Sequence, residues 1–321
     1  MRYVFVPPED AESFKRMLIE SGNLASAQTL TENISVGFPV HADIEGYETV
    51  ERDAPVSHKS LREALAERIG ERASEVKRAF DVVGDIAIIE NTKGFEDVAV
   101  QIAEALLEVH RNVASVYVKD GGHEGDYRVQ RYRWLAGEER TTTLHRENGY
   151  TIELDIATTY FSPRLGGERM RIAQLAGNGE RVLVLGSGVG PYPLCIEKRS
   201  SATRIVGVEF NEDAHRWALT NVERNRCTRI ECVCADALDY LARTDNLFDR
   251  IVMPLPAQSL DLLDQAWNRL AESGTLHVYL FVEESQINDP PLGTYKDRIT
   301  HVEVVGAAAP GTLRVCFDLA R

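Results

Sequence analysis

At 321 residues the chain exceeds one average domain, and a 44% hydrophobic content is enough to build more than one core. No apolar run approaches the about eighteen residues of a membrane span, and the N-terminus, Met1 to Asp10, lacks the apolar stretch of a secretory signal, so a cytoplasmic protein is expected. The net charge of −14 argues against broad phosphate contact, although arginines gather at Arg128, Arg131 and Arg133 and again at Arg164, Arg169 and Arg171. One positive face on an acidic protein is compatible with this, as is an ordinary acidic enzyme with a small substrate; composition by itself slightly favours the second.

Residues 1–57 read as a small α/β module. Tyr3–Val6 suits a strand, Ala11–Ser21 a helix with Phe14, Met17 and Leu18 on one face, and Ile34–Val40 a second strand. The acidic stretch His41–His58 reads as a boundary or exposed loop. Residues 58–140 then alternate helix and strand. Ser60–Phe80 is a charged helix striped by Leu61, Leu65, Ile69 and Val76, and Phe80–Glu90 is a strand interrupted by Gly84. A second amphipathic helix covers Phe95–Val109, followed by the strand Val113–Val118 and a turn at Gly121-Gly122. From Tyr127 to Glu138 arginines and aromatics share a strand. That pattern suits a nucleic-acid face, and equally a half-buried strand whose arginines are simply solvated.

Residues 141–321 carry the chemistry. Thr142–Asp155 reads as a hairpin around Asn148-Gly149. Pro163 ends the extended stretch after it, and a helix starts near Gly167. Glu168 there reads, from spacing alone, as a helix-start acid in a surface ion pair, with Arg164 at i−4 as its partner. Arg181–Leu185 is a buried strand running straight into Gly186, Gly188 and Gly190, and a second strand, Ile205–Val208, ends in Glu209. In a doubly wound sheet this places the carboxylate beside the glycine turn, where ribose hydroxyls would donate to it. A dinucleotide fingerprint needs a third glycine where Pro191 stands; the G-x-G-x-G spacing resembles class I S-adenosylmethionine methyltransferases instead. Asn211 caps a helix to Asn225, and Asp236 follows the strand Ile230–Cys234 as a helix cap or an adenine-amine ligand. Phe248–Met253, Gly274–Val282 and Leu313–Leu319 are further strands, with a helix at Ser259–Leu270. The five cysteines have no zinc-site spacing, and no metal is expected.

Three stretches together resemble the archaeal and eukaryal tRNA (guanine-37-N1) methyltransferase family: Phe80–Glu90, His145–Ile172 and Asp249–Pro256. The likeness extends over about residues 60 to 321. It implies a class I Rossmann-like catalytic domain behind a small α/β RNA-binding domain and an N-terminal module. It further implies S-adenosylmethionine as cofactor and tRNA as partner, held at the anticodon loop and outer corner by a monomer. The resemblance gives Glu168 the part of general base at guanine N1, Arg128 that of the guanidinium at O6, and Tyr160 that of the aromatic settling base or cofactor. Gly186, Gly188, Gly190, Glu209, Asp236, Arg164 and Pro254 form the implied cofactor set. Two departures stand out. Pro254-Leu255-Pro256 replaces the usual Asn-Leu-Pro, and Val184-Leu185 precede the glycines where an acid often stands, so the methionine amino group lacks an evident ligand. A wyosine-pathway transferase, a non-catalytic tRNA-binding protein and a small-molecule methyltransferase remain as alternatives.

Overall fold

A computed structural model describes residues 1–25, 29–32, 35–52, 59–124 and 129–321. It divides into two units, Met1–Glu67 and Arg68–Arg321. In the first, β1 (Arg2–Val6), β2 (Leu30–Glu32), β3 (Ser35–Val40) and β4 (Thr49–Glu51) make an antiparallel sheet in the order β2-β3-β1-β4. The helix α1 (Ala11–Glu20) lays Phe14 and Leu18 on Val4, Val6, Phe38 and Val40. β4 falls inside the stretch read as loop. Its Thr49, Val50 and Glu51 pair with β1 despite their short run, because the free edge of β1 supplies the partners that a three-residue segment cannot advertise by periodicity.

The helix expected over Ser60–Phe80 stops early. α2 is Leu61–Ile69, ended by Gly70 at φ +62°, and a 3₁₀ turn follows. β5 (Phe80–Val83) and β6 (Ile86–Ile89) are antiparallel, so Gly84 turns a hairpin rather than interrupting one strand. The helix α3 (Ala99–Val109) packs on β7 (Ser115–Glu124) and β8 (Val129–Gly137), and the sheet runs β5-β6-β7-β8. Gly121 and Gly122 lie within β7, whose register shifts beyond Lys119 instead of turning there. On the edge strand β8, Arg131, Arg133 and Trp134 are exposed and Tyr132 is half-buried.

β9 (Thr142–Glu147) and β10 (Tyr150–Asp155) form the expected hairpin, with Asn148 and Gly149 both at positive φ. Next come α4 (Gly166–Leu175), β11 (Arg181–Leu185), α5 (Pro191–Arg199), β12 (Arg204–Glu209), α6 (Glu212–Arg224), β13 (Ile230–Cys234), α7 (Ala237–Arg243), β14 (Phe248–Met253) and α8 (Ser259–Asn268). β15 (Leu270–Glu283), β16 (Ile299–Ala309) and β17 (Thr312–Ala320) complete a seven-stranded sheet in the order β13-β12-β11-β14-β15-β17-β16. It is parallel up to β15, and β17 runs antiparallel to both neighbours. Alternation along β11 shows why both faces are covered. Val182 and Val184 join the core shared with β10, β5–β7, α4 and α5, whereas Leu183 and Leu185 join the core under α7 and α8.

Candidate active site

The order of the parallel strands reverses between β11 and its two neighbours, and at such a switch point a crevice opens at the carboxyl ends of the strands. A cavity of roughly 420 Å³ lies here, bordered by Gly186, Gly188, Glu209, Asp236, Pro254, Tyr160 and others. The glycine turn is shaped by contact as well as by angle. Gly186, Gly188 and Gly190 have φ of +72°, +55° and +92°, and a Cβ on Gly186 would come within 2.4 Å of the Leu255 side chain. Above Gly188 there is open space, the nearest atom to an added Cβ being the Tyr160 carbonyl at 3.8 Å.

Glu209 closes this turn. Its Oε2 accepts from the Gly188 N–H at 2.6 Å and its Oε1 from the Asn211 N–H at 2.8 Å. Burial holds its carboxyl above the usual range although those N–H groups pull the other way. Asp236 caps α7, its Oδ1 accepting from Leu238 and Asp239 N–H groups, and it also borders the cavity. Phe210 and Leu238 follow at or near the two acids, each exposed and each bordering the cavity. Two carboxylates, apolar flanks for a ring and an unobstructed glycine backbone fit a nucleoside bearing a flexible tail.

The other wall comes from the segment before α4 and from β15 and β17. Arg169 is 1% exposed, paired with both Glu147 oxygens at 2.6 Å, and its guanidinium donates to the Ser162 carbonyl and lies over Phe161. These bonds pin the Tyr160–Ser162 stretch to the cavity rim. On one face of the β15–β17 ladder stand the cross-strand pairs His277–Asp318, Tyr279–Cys316 and Phe281–Arg314. Arg314 borders the cavity over the Phe281 ring and donates to the Tyr160 hydroxyl at 3.2 Å; its Nε–H is buried and meets no acceptor among the described residues.

Glu168 is buried, not a surface acid. Arg171 grips it with Nε on Oε2 at 2.7 Å and Nη2 on Oε1 at 2.8 Å, and the Tyr279 hydroxyl donates to Oε1 at 2.5 Å. It does not border the cavity; Tyr279 does. The expected Glu168–Arg164 pair is corrected: Arg164 is exposed, points its Nε at Asp81 at 2.7 Å and stays off the cavity wall, because the 3₁₀ turn Pro163–Leu165 directs it outward before α4 begins. The Arg164, Arg169 and Arg171 group is therefore not a positive face, since each guanidinium is spent on a carboxylate. Arg128 lies outside the described residues. Sequence reasoning missed Tyr192, Tyr279 and Arg314; alternating residues on β15 and β17 were the available signal.

Arg171 also reaches Asp318, whose other oxygen meets His277 Nδ1 at 2.6 Å. The Nε2 of His277 faces Arg250 Nη1 at 2.6 Å. A guanidinium only donates, so Nε2 accepts and the proton sits on Nδ1, donated to Asp318; burial accordingly holds His277 below its ordinary range. His277, Cys316 and Asp318 bring potential metal ligands within 4.8 Å of each other, but two arginines already occupy that cluster.

The strand order, the glycine turn with its two acids and the cavity that joins them define a class I methyltransferase. A model of the TRM5/TYW2 methyltransferase domain matches residues 143–305, and one of the TYW2 N-terminal domain matches residues 61–141. The chain belongs to the TRM5/TYW2 methyltransferase family. It is 34% identical to the tRNA (guanine(37)-N(1))-methyltransferase Trm5b of Pyrococcus abyssi, over 92% of this chain and 88% of that one. It is 29% identical to the tRNA 4-demethylwyosine(37)-methyltransferase Taw21 of Saccharolobus solfataricus, over 67% of this chain and 82% of that one. The crystal structure of Pyrococcus abyssi Trm5b superposes with a TM-score of 0.74 at 30% identity, over 100% of this chain and 99% of the other.

Proposed function

We propose that this protein transfers the methyl group of S-adenosylmethionine to N1 of guanine-37 in tRNA. The observation that carries this reading is that one cavity joins the nucleoside-binding acids, Glu209 and Asp236, to a second wall of Tyr160, Tyr192, Tyr279 and Arg314, with Glu168 directly behind it. When bound, S-adenosylmethionine supplies a methyl group on a positively charged sulfur, open to attack by a nitrogen lone pair. Glu209 would hold the ribose hydroxyls, Asp236 the adenine amine, and Gly186 and Gly188 the backbone passage for the tail beside Pro254, whereas Gly190, expected in that set, lies off the cavity against Ala218 and Leu194 and turns the chain into α5.

Guanine N1 carries a proton at neutral pH and is a poor nucleophile until that proton leaves. Glu168 is the carboxylate assigned to receive it. Negative charge then grows on O6, where a guanidinium in a dry site stabilises it. The family resemblance gives that place to Arg128; Arg314, with a buried N–H still to donate, is a second guanidinium on the cavity wall. The base must leave its stack to enter, and Tyr160 is assigned to settle it there. Residues 1–57 and 58–140 are assigned to tRNA contact and 141–321 to catalysis. The enzyme is taken to be a cytoplasmic monomer that meets tRNA at the anticodon loop and outer corner; among the described residues no helix is long and apolar enough to cross a membrane.

Nucleoside mass spectrometry of unmodified tRNA incubated with the protein and S-adenosylmethionine tests this. 1-Methylguanosine is expected, and its loss when guanine-37 is replaced. An aminocarboxypropylated nucleoside, or methylation confined to tRNA already carrying 4-demethylwyosine, would move the protein to the wyosine pathway and refute the guanine assignment.

A further inference from the structure

We propose that Tyr279 is a catalytic residue, its hydroxyl taking the proton of the acceptor base while handing its own to Glu168. The inference rests on the guanine reading above and names a step within it. Glu168 is only 8% exposed and does not border the cavity. Both of its oxygens are held by Arg171, and Oε1 also accepts from the Tyr279 hydroxyl at 2.5 Å. Tyr279 does border the cavity, and its oxygen accepts at 3.3 Å from the hydroxyl of Tyr192, a second cavity residue.

Glu168 cannot swing outward cheaply. Arg171 is clamped on its far side by Asp318, Asp318 by His277, and His277 by Arg250, so a carboxylate moving outward would give up both of its bonds to a guanidinium that cannot follow it. The proton must therefore come to the carboxylate, and Tyr279 is the group between them.

The step balances without a further reactant. The N1–H bond breaks and its electron pair stays on N1. The proton bonds to the Tyr279 oxygen as that oxygen's original proton bonds to Glu168 Oε1. Tyr279 is a neutral phenol before and after, and Glu168 ends as a carboxylic acid. Burial, together with the neighbouring Glu168, holds the Tyr279 hydroxyl well above the ordinary tyrosine range, so a free phenolate is avoided and the two transfers are concerted. The lone pair on N1 is then available to the methyl carbon.

Single-turnover methyl transfer to tRNA, with saturating S-adenosylmethionine, tests the relay in the wild type, Tyr279→Phe, Glu168→Gln and the double variant. Tyr279→Phe should transfer about 10²-fold more slowly or worse while its cofactor affinity stays within about twofold. The double variant should be no more than about threefold slower than Glu168→Gln, because residues acting as one unit do not lose rate twice. In mixtures of light and heavy water the wild-type rate should bow below a straight line, the sign of two protons moving together. That measurement uses no variant and so survives any folding defect of Tyr279→Phe. A straight line, a Tyr279→Phe rate within a few-fold of wild type, or losses that multiply would overturn the relay. If the wild type makes 1-methylguanosine and the relay tests fail, only Tyr279 is displaced; if it makes none, the guanine reading falls and the relay with it.

Discussion

Glu209→Gln isolates the cofactor half of the site. In the structure each Glu209 oxygen already accepts a backbone N–H, from Gly188 at 2.6 Å and from Asn211 at 2.8 Å. Glutamine keeps the shape but has one acceptor oxygen, so its NH₂ must face a backbone N–H. A hydrogen bond to a charged group contributes about 1.5–3 kcal/mol, and each 1.4 kcal/mol is tenfold in affinity. With its one oxygen taken by a backbone N–H, glutamine has one acceptor fewer for the ribose hydroxyls, and losing one such bond to the cofactor should raise the dissociation constant for S-adenosylmethionine by about 10- to 150-fold. Because burial raises the Glu209 carboxyl, wild-type affinity should also weaken on acidification at a higher pH than an ordinary glutamate would impose, and the variant should lack that dependence. Calorimetric titration across pH, with a melting curve for each protein, measures both. Binding within about threefold of wild type at neutral pH would refute the assignment of Glu209 to the ribose.

Glu168→Gln should leave cofactor affinity near normal and slow methyl transfer by about 10²- to 10⁴-fold, read by single turnover. Arg314→Gln should slow transfer on the order of 10²-fold with unchanged cofactor binding if its guanidinium meets charge on the acceptor; an unaltered rate removes it from the site. Arg171→Met strips a shared cation from two buried carboxylates and should cost about 3–5 kcal/mol of stability in denaturant melts. In the wild type, burial would raise Asp318, but His277 and Arg171 more than offset this and hold it far below the ordinary aspartate range. Its contribution is thus present above about pH 4 and is lost as pH falls further, so the gap between wild type and Arg171→Met should be full at pH 7 and narrow in acid. Removing residues 1–57 should weaken binding of whole tRNA, measured by filter retention, while methylation of an anticodon stem-loop persists.

Much of the catalytic sheet was legible because four of its parallel strands, β11 to β14, are short apolar runs stopped by a residue with its own meaning: the glycines after Leu185, Glu209, Asp236, Pro254. Helix caps were equally plain, Asn211 and Asp236 both taking the N–H groups their positions promised. What failed to show was anything set by partners distant in sequence. β4 exists because β1 has an open edge, and the 3₁₀ turn after Pro163 aims Arg164 outward, which no spacing rule reveals. Arg171 at i+3 was within reach of spacing, but Glu168 looked like a surface acid because the Tyr279 phenol on β15, and the Asp318 on β17 that shares Arg171, meet α4 only once the chain is folded.

The hairpin tip at Gly84 has a mechanical consequence. A Cβ there would sit 2.0 Å from Thr143 Oγ1; the Gly84 N–H donates to His145 Nδ1, and Asp85 receives both Thr143 Oγ1 and Arg140. With backbone seated that tightly on β9, the four-stranded sheet is braced against the hairpin that opens the methyltransferase domain, although separate family models cover the two. We infer that an RNA lying along Arg131, Arg133 and Trp134 would be offered to the cavity by a braced platform, as by a jig.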